Sequence, residues 1–175
     1  MPEAFAQLRA SPVVGLLSLD VLLLVNNLLV LLFYLGLAAC LWPVSRSGVV
    51  LVVVLGTLQM ATYYASNPAV EMLALADLRA GAAGASERVV YRAAGEAVFS
   101  AWKGTAFLVY YVLGAAVMLV LAALLRRWPP LGARTWWWSL AAGVLMVGLV
   151  FSLVSLLPWS VLCVIAGRRL LVLAR

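Results

Sequence analysis

Long stretches without a charged residue are the feature that most constrains what this sequence folds into. Four of them, 25, 24, 22 and 33 residues long, are Val21–Ser45, Ser47–Val70, Gly104–Leu125 and Thr135–Gly167. A helix of about 20 apolar residues crosses the hydrocarbon core of a bilayer. Of the whole chain, 67% is hydrophobic and 10% is charged, too little polar surface to cover a soluble fold. The sequence therefore predicts an all-α, polytopic transmembrane helical bundle, in one integral membrane domain over residues 1–175.

Proline residues set several of the predicted segment boundaries. Trp42-Pro43 ends the first segment, because the residue before a proline avoids the helical conformation. Ser66-Asn67-Pro68 predicts either a helix stop followed by a new start, or a kink in a helix that continues to about Ala80. The predicted membrane segments cover residues 13–41, 47–65, 105–125 and 135–167.

The last of these segments has two interpretations. At about 1.5 Å per residue its 33 residues extend roughly 50 Å, which exceeds the ~30 Å hydrocarbon core. Either one long helix kinks at Pro158, or a tight hairpin turns near Val147-Gly148. The bundle therefore has four to five membrane segments. By the positive-inside rule, four segments place the N-terminus inside the cell and five place it outside.

Two other parts of the chain are amphipathic rather than uniformly apolar. In residues 86–103, polar side chains including Arg88, Arg92 and Glu96 recur at three- and four-residue spacing. This pattern predicts a helix that lies flat on the membrane surface. Residues Met1–Ala10 are expected to form a short amphipathic helix that enters the first segment.

The basic residues indicate membrane topology rather than nucleic-acid binding. The net charge of +6 comes from 12 basic and 6 acidic residues, and the arginines lie mainly at the ends of apolar runs. There they act as topology signals and contact lipid headgroups. The expected partners are the lipid bilayer and either another protein or further copies of the chain, with no nucleic acid. The expected location is the bacterial inner (plasma) membrane, as a multi-pass protein.

A carboxylate inside the first predicted segment is the sharpest functional signal. Asp20, Asn27 and Tyr34 are spaced by seven residues, so they share one face of a continuous helix. In one interpretation Asp20 is a proton- or cation-coupled site, since ionisable groups inside membranes are costly and often functional. In the other, Asp20 lies near the interface and bridges helices as a structural group. The candidate intramembrane polar site comprises Asp20, Asn26, Asn27, Gln59, Tyr63 and Tyr110.

Residue types that carry enzymatic chemistry are scarce in this sequence. It contains no histidine, which excludes histidine-metal and bis-histidine haem sites as well as histidine acid–base catalysis. It has neither a Walker loop nor a dinucleotide-binding fingerprint. Cys40 and Cys163 lack a CxxC partner and are expected to be thiols buried in the membrane. We expect no metal, no cofactor and no enzymatic activity.

Several short stretches resemble sequences of an uncharacterised family. They are Tyr63–Leu75, Ala93–Ala97, Gly104–Phe107, Pro158-Trp159 and Arg168-Arg169-Leu170. The chain, from Leu16 to its end, resembles the "domain of unknown function" integral membrane proteins common in Chloroflexi and actinobacteria. The resemblance implies a helical membrane fold and no particular activity. Members of that family have one more N-terminal span and a longer connection at Val144–Val150, which by analogy favours the hairpin interpretation.

Two functions are compatible with these observations. The first is a non-enzymatic accessory or structural component of a membrane complex, because catalytic groups are absent and the 86–103 helix offers a surface for binding. The alternative is a small proton- or cation-linked transporter or ligand binder centred on Asp20.

Overall fold

Apolar runs bounded by proline and glycine form long helices. The computed structural model describes residues 2–131, 134–147 and 152–173, and this part of the chain contains α-helices, one short 3₁₀ turn at Pro129–Leu131 and no strand. The α-helices are α1 (Pro2–Ala10), α2 (Pro12–Ser18), α3 (Val21–Leu41), α4 (Arg46–Ser66), α5 (Ala69–Gly81), α6 (Ala85–Trp102), α7 (Thr105–Arg126), α8 (Thr135–Val147) and α9 (Ser152–Leu173).

Three helical stretches are long and apolar enough to cross a membrane. They are Val21–Leu41, Arg46–Gly81 and Ala85–Arg126. In the most apolar part of each, only 22%, 33% and 44% of the residues, respectively, are buried by protein. On α3, for example, Leu22 is 65% exposed and Val25 is 57% exposed. Such a large share of outward-facing apolar side chains is typical of helices surrounded by lipid. The chain is thus a membrane protein.

The helices fall into two compact units. Unit 1 comprises the described residues of Met1–Asn27 and Thr62–Phe107, and unit 2 those of Leu28–Ala61 and Leu108–Arg175. Each unit has its own apolar core.

The core of unit 1 joins the first helix to the middle of the chain. Phe5 and Leu8 of α1 are 1% and 2% exposed and pack in one cluster with Met72 of α5. The Phe5 ring also lies against Gly95 of α6, where a Cβ atom would come within 2.6 Å of Cζ. Glycine at this position therefore permits α1 and α6 to approach closely.

The core of unit 2 is centred on aromatic and aliphatic contacts between helices. Tyr34 of α3 packs edge-on against Trp159 of α9, with ring centroids 5.9 Å apart. It also packs over Gly56 of α4, where a Cβ atom would come within 2.7 Å of the ring. Between α7 and α8, the buried hydroxyl of Ser139 donates a hydrogen bond of 2.7 Å to the carbonyl of Met118. A hydrogen bond of this kind fixes two apolar helices in one register.

The first predicted segment is interrupted, contrary to the expectation of one helix over residues 13–41. Helix α2 ends at Ser18 and α3 begins at Val21, with Asp20 at a positive φ of 58° between them. The C-terminal end of this segment agrees with the prediction, since α3 ends at Leu41 just before Trp42-Pro43.

Later helix boundaries bear on two of the alternatives left open by the sequence. Helix α4 ends at Ser66 and α5 begins at Ala69. In the last apolar run, the described residues form two helices, α8 and α9, that pack against each other, and α9 continues through Pro158. The predicted turn near Val147-Gly148 falls largely outside the described residues.

The amphipathic stretch predicted over residues 86–103 forms α6, one residue earlier at each end. Residues Pro2–Ala10 form the expected short helix, α1.

Candidate functional site

The six residues of the predicted polar site divide between the two units. Asp20, Asn26, Asn27 and Tyr63 belong to unit 1, whereas Gln59 and Tyr110 belong to unit 2. We describe each group within its own unit.

Asp20 occupies the break between α2 and α3 and its side chain is exposed. It therefore does not share a helix face with Asn27 and Tyr34, as the seven-residue spacing had predicted. Its positive φ lies in the left-handed region, which aspartate tolerates better than most residues because its short side chain bonds locally. The backbone N–H of Asp20 donates to the carbonyl of Leu17 at 3.2 Å, and its carbonyl accepts from the N–H of Leu23 at 2.9 Å. Asp20 thus ends one helix and starts the next.

Asn67 ties this break to the start of α5. Its Nδ2 donates a hydrogen bond of 3.0 Å to the carbonyl of Leu19, which lies at the end of α2. Its Oδ1 accepts a hydrogen bond of 3.1 Å from the N–H of Ala69, the first residue of α5. One amide therefore satisfies an unpaired helix end on each side.

A tyrosine adds a second link in the same region. The Tyr64 hydroxyl, near the end of α4, donates a hydrogen bond of 2.7 Å to the carbonyl of Leu24 on α3. The region of the α2–α3 break is thus held by two side chains that lie 40 and 48 positions further along the chain than the carbonyls they bind.

The other predicted residues of unit 1 differ in burial. Asn27 is fully buried and Tyr63 is 4% exposed. Asn26, which precedes Asn27 on α3, is exposed. Adjacent helical residues point about 100° apart, so only one of the two asparagines faces the protein interior. Burial of an amide and a phenol between apolar helices favours interhelical hydrogen bonding.

In unit 2, Gln59 of α4 is 2% exposed and lies directly against α7. A Cβ atom at Gly114 would fall 2.5 Å from Gln59 Nε2, so the absence of a side chain on α7 makes room for the amide. Within the described part of the chain, Gln59 Oε1 accepts no hydrogen bond. Tyr110, one turn before Gly114, is half-buried, and its ring meets that of Tyr111 edge-on with centroids 5.3 Å apart.

Unit 1 also contains a basic cavity that the sequence did not predict. It has a volume of about 200 Å³ and is lined by Arg9, Ala76, Arg79, Ala80 and Arg88. The three arginines come from three helices: Arg9 from the last turn of α1, Arg79 from the last turn of α5, and Arg88 from the start of α6. We call it the arginine cavity.

Hydrogen bonding leaves most of the cavity's donors unused. The guanidinium of Arg79 lies over the Phe5 ring, 5.3 Å from its centroid, and its buried Nε–H has no hydrogen-bond partner among the described residues. Arg88 donates one long bond of 3.4 Å to the carbonyl of Ala82. Three positive charges with free N–H groups are the kind of group that binds an oxyanion.

A second cavity, of about 370 Å³, opens in unit 2. It is lined by Gly48 of α4, by aliphatic residues of α7 and by Arg127, which directly follows α7.

Within 2–131, 134–147 and 152–173, no three metal-ligating side chains come close enough to hold an ion. Cys40 and Cys163 are free thiols and only half-buried.

The arginine cavity was missed because its residues are far apart in the sequence. Arg9 and Arg79 are separated by 70 positions, and only the packing of α1 on α5 brings them together. One weak signal was available: each lies in the last turn of an amphipathic helix.

Comparison with known proteins finds no matching family model, no matching curated protein and no matching solved structure.

Proposed function

We infer that this chain is a multi-pass protein of the bacterial inner membrane, and that it acts without catalysis as an accessory or structural component of a membrane complex. The character of its buried polar groups carries this proposal. The buried polar side chains among the described residues are uncharged: Asn27, Gln59, Thr135 and Ser139. Such groups join helices to one another in a membrane.

The carboxylates, unlike these buried polar side chains, lie on the surface of the protein. All six acidic residues of the chain are exposed: Glu3, Asp20, Glu71, Asp77, Glu87 and Glu96. A carboxylate that acts in acid–base catalysis is typically held in a partly buried site beside other charged or polar groups. Exposed carboxylates instead favour a role in solvation or in binding.

We propose five membrane segments, with α8 as a short one. Its 13 residues extend about 20 Å, less than the hydrocarbon core, whereas the 22 residues of α9 extend about 33 Å. In this arrangement one side of the membrane carries seven arginines and no acidic residue: Arg46, Arg126, Arg127, Arg134, Arg168, Arg169 and Arg175. The positive-inside rule makes that side cytoplasmic and places the N-terminus outside.

Interfacial aromatic residues support this placement of α7 and α8. The guanidinium of Arg126 lies over the Trp136 ring, 5.4 Å from its centroid, and Trp136 stacks on Trp137 with centroids 4.0 Å apart. Arginine and tryptophan side chains of this kind anchor helices at the level of the lipid headgroups.

Purification in a mild detergent followed by native mass spectrometry tests the accessory role. We expect a stoichiometric protein partner that survives extraction, and whose own complex weakens when the gene for this chain is deleted. An unrelated multi-pass protein, purified in parallel, is the control for contaminants that bind nonspecifically. If the chain runs alone, and its deletion leaves every membrane complex intact, the accessory role is refuted.

One observation favours a second candidate, a proton- or cation-linked transporter or binder. Asp20 lies at a helix break, and discontinuous helices supply the coordinating groups in many transporters. Asp20→Asn is then expected to abolish cation-dependent ligand binding while the protein still inserts, with Glu3→Gln as the matched control. Equal binding by Asp20→Asn and wild type removes this candidate.

A further inference from the structure

We propose that the arginine cavity of unit 1 binds a phosphate group, carried either by an anionic lipid or by a soluble phosphate compound. The site goes beyond the accessory role, since it does not depend on which complex the protein joins.

The charges around the cavity are positive and have no acidic partner among the described residues. Unit 1 contains every acidic residue of the chain, yet none pairs with Arg9, Arg79 or Arg88. Among the described residues, one ion pair has its charged atoms within 4 Å of each other. It joins Arg92 and Glu96, whose side chains are both exposed on α6. The cavity therefore keeps three uncompensated positive charges.

The nearest acidic residue in sequence is already engaged elsewhere. Glu87 precedes Arg88, but its two carboxylate oxygens accept hydrogen bonds from the N–H of Ala83 at 3.0 Å and from the Tyr91 hydroxyl at 3.2 Å. An ordinary helix-end role accounts for Arg88, which bonds the carbonyl of Ala82 near the end of α5. It does not account for the buried Nε–H of Arg79. Arg9 lies in the last turn of α1, and its exposed guanidinium has no hydrogen bond or ion pair within the described ranges.

A buried N–H without a partner is uncommon, because leaving it unsatisfied costs the free energy of removing it from water. The Nε–H of Arg79 sits in this position beside a cavity rather than in a filled core. The Phe5 ring beneath the guanidinium holds it in place. A donor fixed in advance binds an anion with less loss of side-chain entropy.

The size and shape of the site favour phosphate among anions. Because a water molecule occupies about 30 Å³ of liquid, the cavity of about 200 Å³ has room for a tetrahedral oxyanion with a few waters. Ala76 and Ala80 line the cavity with short side chains, and these leave that room. Guanidinium groups bind phosphate through paired N–H···O bonds, and several oxygens on one phosphorus can serve donors from three helices. A carboxylate has only two oxygens to offer.

The proposed membrane arrangement determines which phosphate is within reach. Unit 1 contains the first residues of α3, the last of α4 and the first of α7. If these helices span the bilayer, unit 1 lies at one of its surfaces, where lipid phosphates are abundant. This step alone rests on the proposed function; binding of a soluble phosphate does not require it.

The test uses the full chain in a neutral detergent, with two probes. Native mass spectrometry compares retained phosphatidylglycerol with diacylglycerol of the same acyl chains, which lacks the phosphate. Thermal unfolding then measures stabilisation by inorganic phosphate at fixed ionic strength. We expect binding of at least one phosphate probe and no retention of diacylglycerol. Retained phosphatidylglycerol without an effect of inorganic phosphate identifies a lipid headgroup, and the reverse identifies a soluble compound.

Variants of the arginines make the result specific to the cavity. Arg9→Gln combined with Arg79→Gln is expected to weaken binding about tenfold or more, because bonds to charged groups are among the strongest. Arg79→Lys keeps the charge but loses the paired bonds, so its effect is expected to be intermediate. Arg9→Gln alone removes an exposed side chain and leaves the fold intact, so it remains informative if Arg79 variants fail to fold.

Arg92→Gln, on α6 outside the cavity, is the matched control and is expected to bind as wild type does. The proposal is overturned if neither phosphate probe binds, if the double variant binds as well as wild type, or if Arg92→Gln weakens binding equally.

Discussion

Replacing Asn67 with alanine removes both hydrogen bonds by which this amide joins the α2–α3 break to the start of α5. Loss of the bond to the N–H of Ala69 is comparable to loss of a helix cap, about 0.5–2 kcal/mol. Loss of the bond to the carbonyl of Leu19 costs about 0.5–1.5 kcal/mol. Together they destabilise the local structure of unit 1 by roughly 1–3.5 kcal/mol.

That free energy corresponds to a roughly 5- to 300-fold larger population of locally opened molecules, at about 1.4 kcal/mol per tenfold. Hydrogen–deuterium exchange with mass spectrometry measures it directly, through peptides that cover the start of α5 and the α2–α3 break. Exchange in both peptides is expected to accelerate together in Asn67→Ala, because one side chain holds both.

Two further variants separate the contributions. Asn67→Asp keeps an oxygen to accept from Ala69 but loses the donor to Leu19, so faster exchange is expected mainly at the α2–α3 break. Asn26→Ala removes an exposed asparagine from the same unit and is expected to change neither peptide. The reasoning fails if Asn67→Ala accelerates exchange no more than Asn26→Ala does.

Thermal unfolding in detergent tests three other features. Asp20→Gly is expected to be more stable than Asp20→Val by about 1–2 kcal/mol, because only glycine adopts the positive φ freely; the opposite order contradicts this. Gly95→Ala is expected to lower the free energy of unfolding by about 1–3 kcal/mol, because the new methyl group crowds a buried phenylalanine ring. Gly81→Ala is the control and is expected to lose no stability, since a Cβ atom there would have no neighbour within 4 Å. Equal effects of the two variants contradict the close approach of α1 and α6. Ser139→Ala is expected to lose about 0.6–2 kcal/mol with its hydrogen bond to α7, whereas exposed Ser100→Ala stays within about 0.5 kcal/mol; no difference between them refutes the role of this bond.

The long helices were predictable because their signals are local. Charge-free runs predicted the cores of α3, α4 and α7, and Pro43 predicted the end of α3. Asn67-Pro68 likewise gave the end of α4, although only as one of two alternatives. These signals depend on length, hydropathy and backbone geometry, which neighbouring residues determine.

The break at Asp20 was not predictable in this way. Leu19-Asp20-Val21 contains neither glycine nor proline, and one of its carbonyls is satisfied by Asn67, 48 positions later. The helix face predicted to be shared by Asp20, Asn27 and Tyr34 was wrong for the same reason, since the seven-residue spacing assumed a continuous helix through Asp20. The arginine cavity depends on contacts between α1 and α5, and no local pattern reports such contacts.

The contact between Phe5 and Gly95 has a consequence for biosynthesis. A ribosome that adds about 5–20 residues per second needs roughly 5–18 s to make the intervening stretch of about 90 residues. During that time α1 has been made but its binding surface on α6 has not. The apolar residues of α1 must therefore contact lipid, the insertion machinery or a chaperone until α6 has been made. Although α1 is translated before the other described helices, it is thus among the last of them to reach its final position.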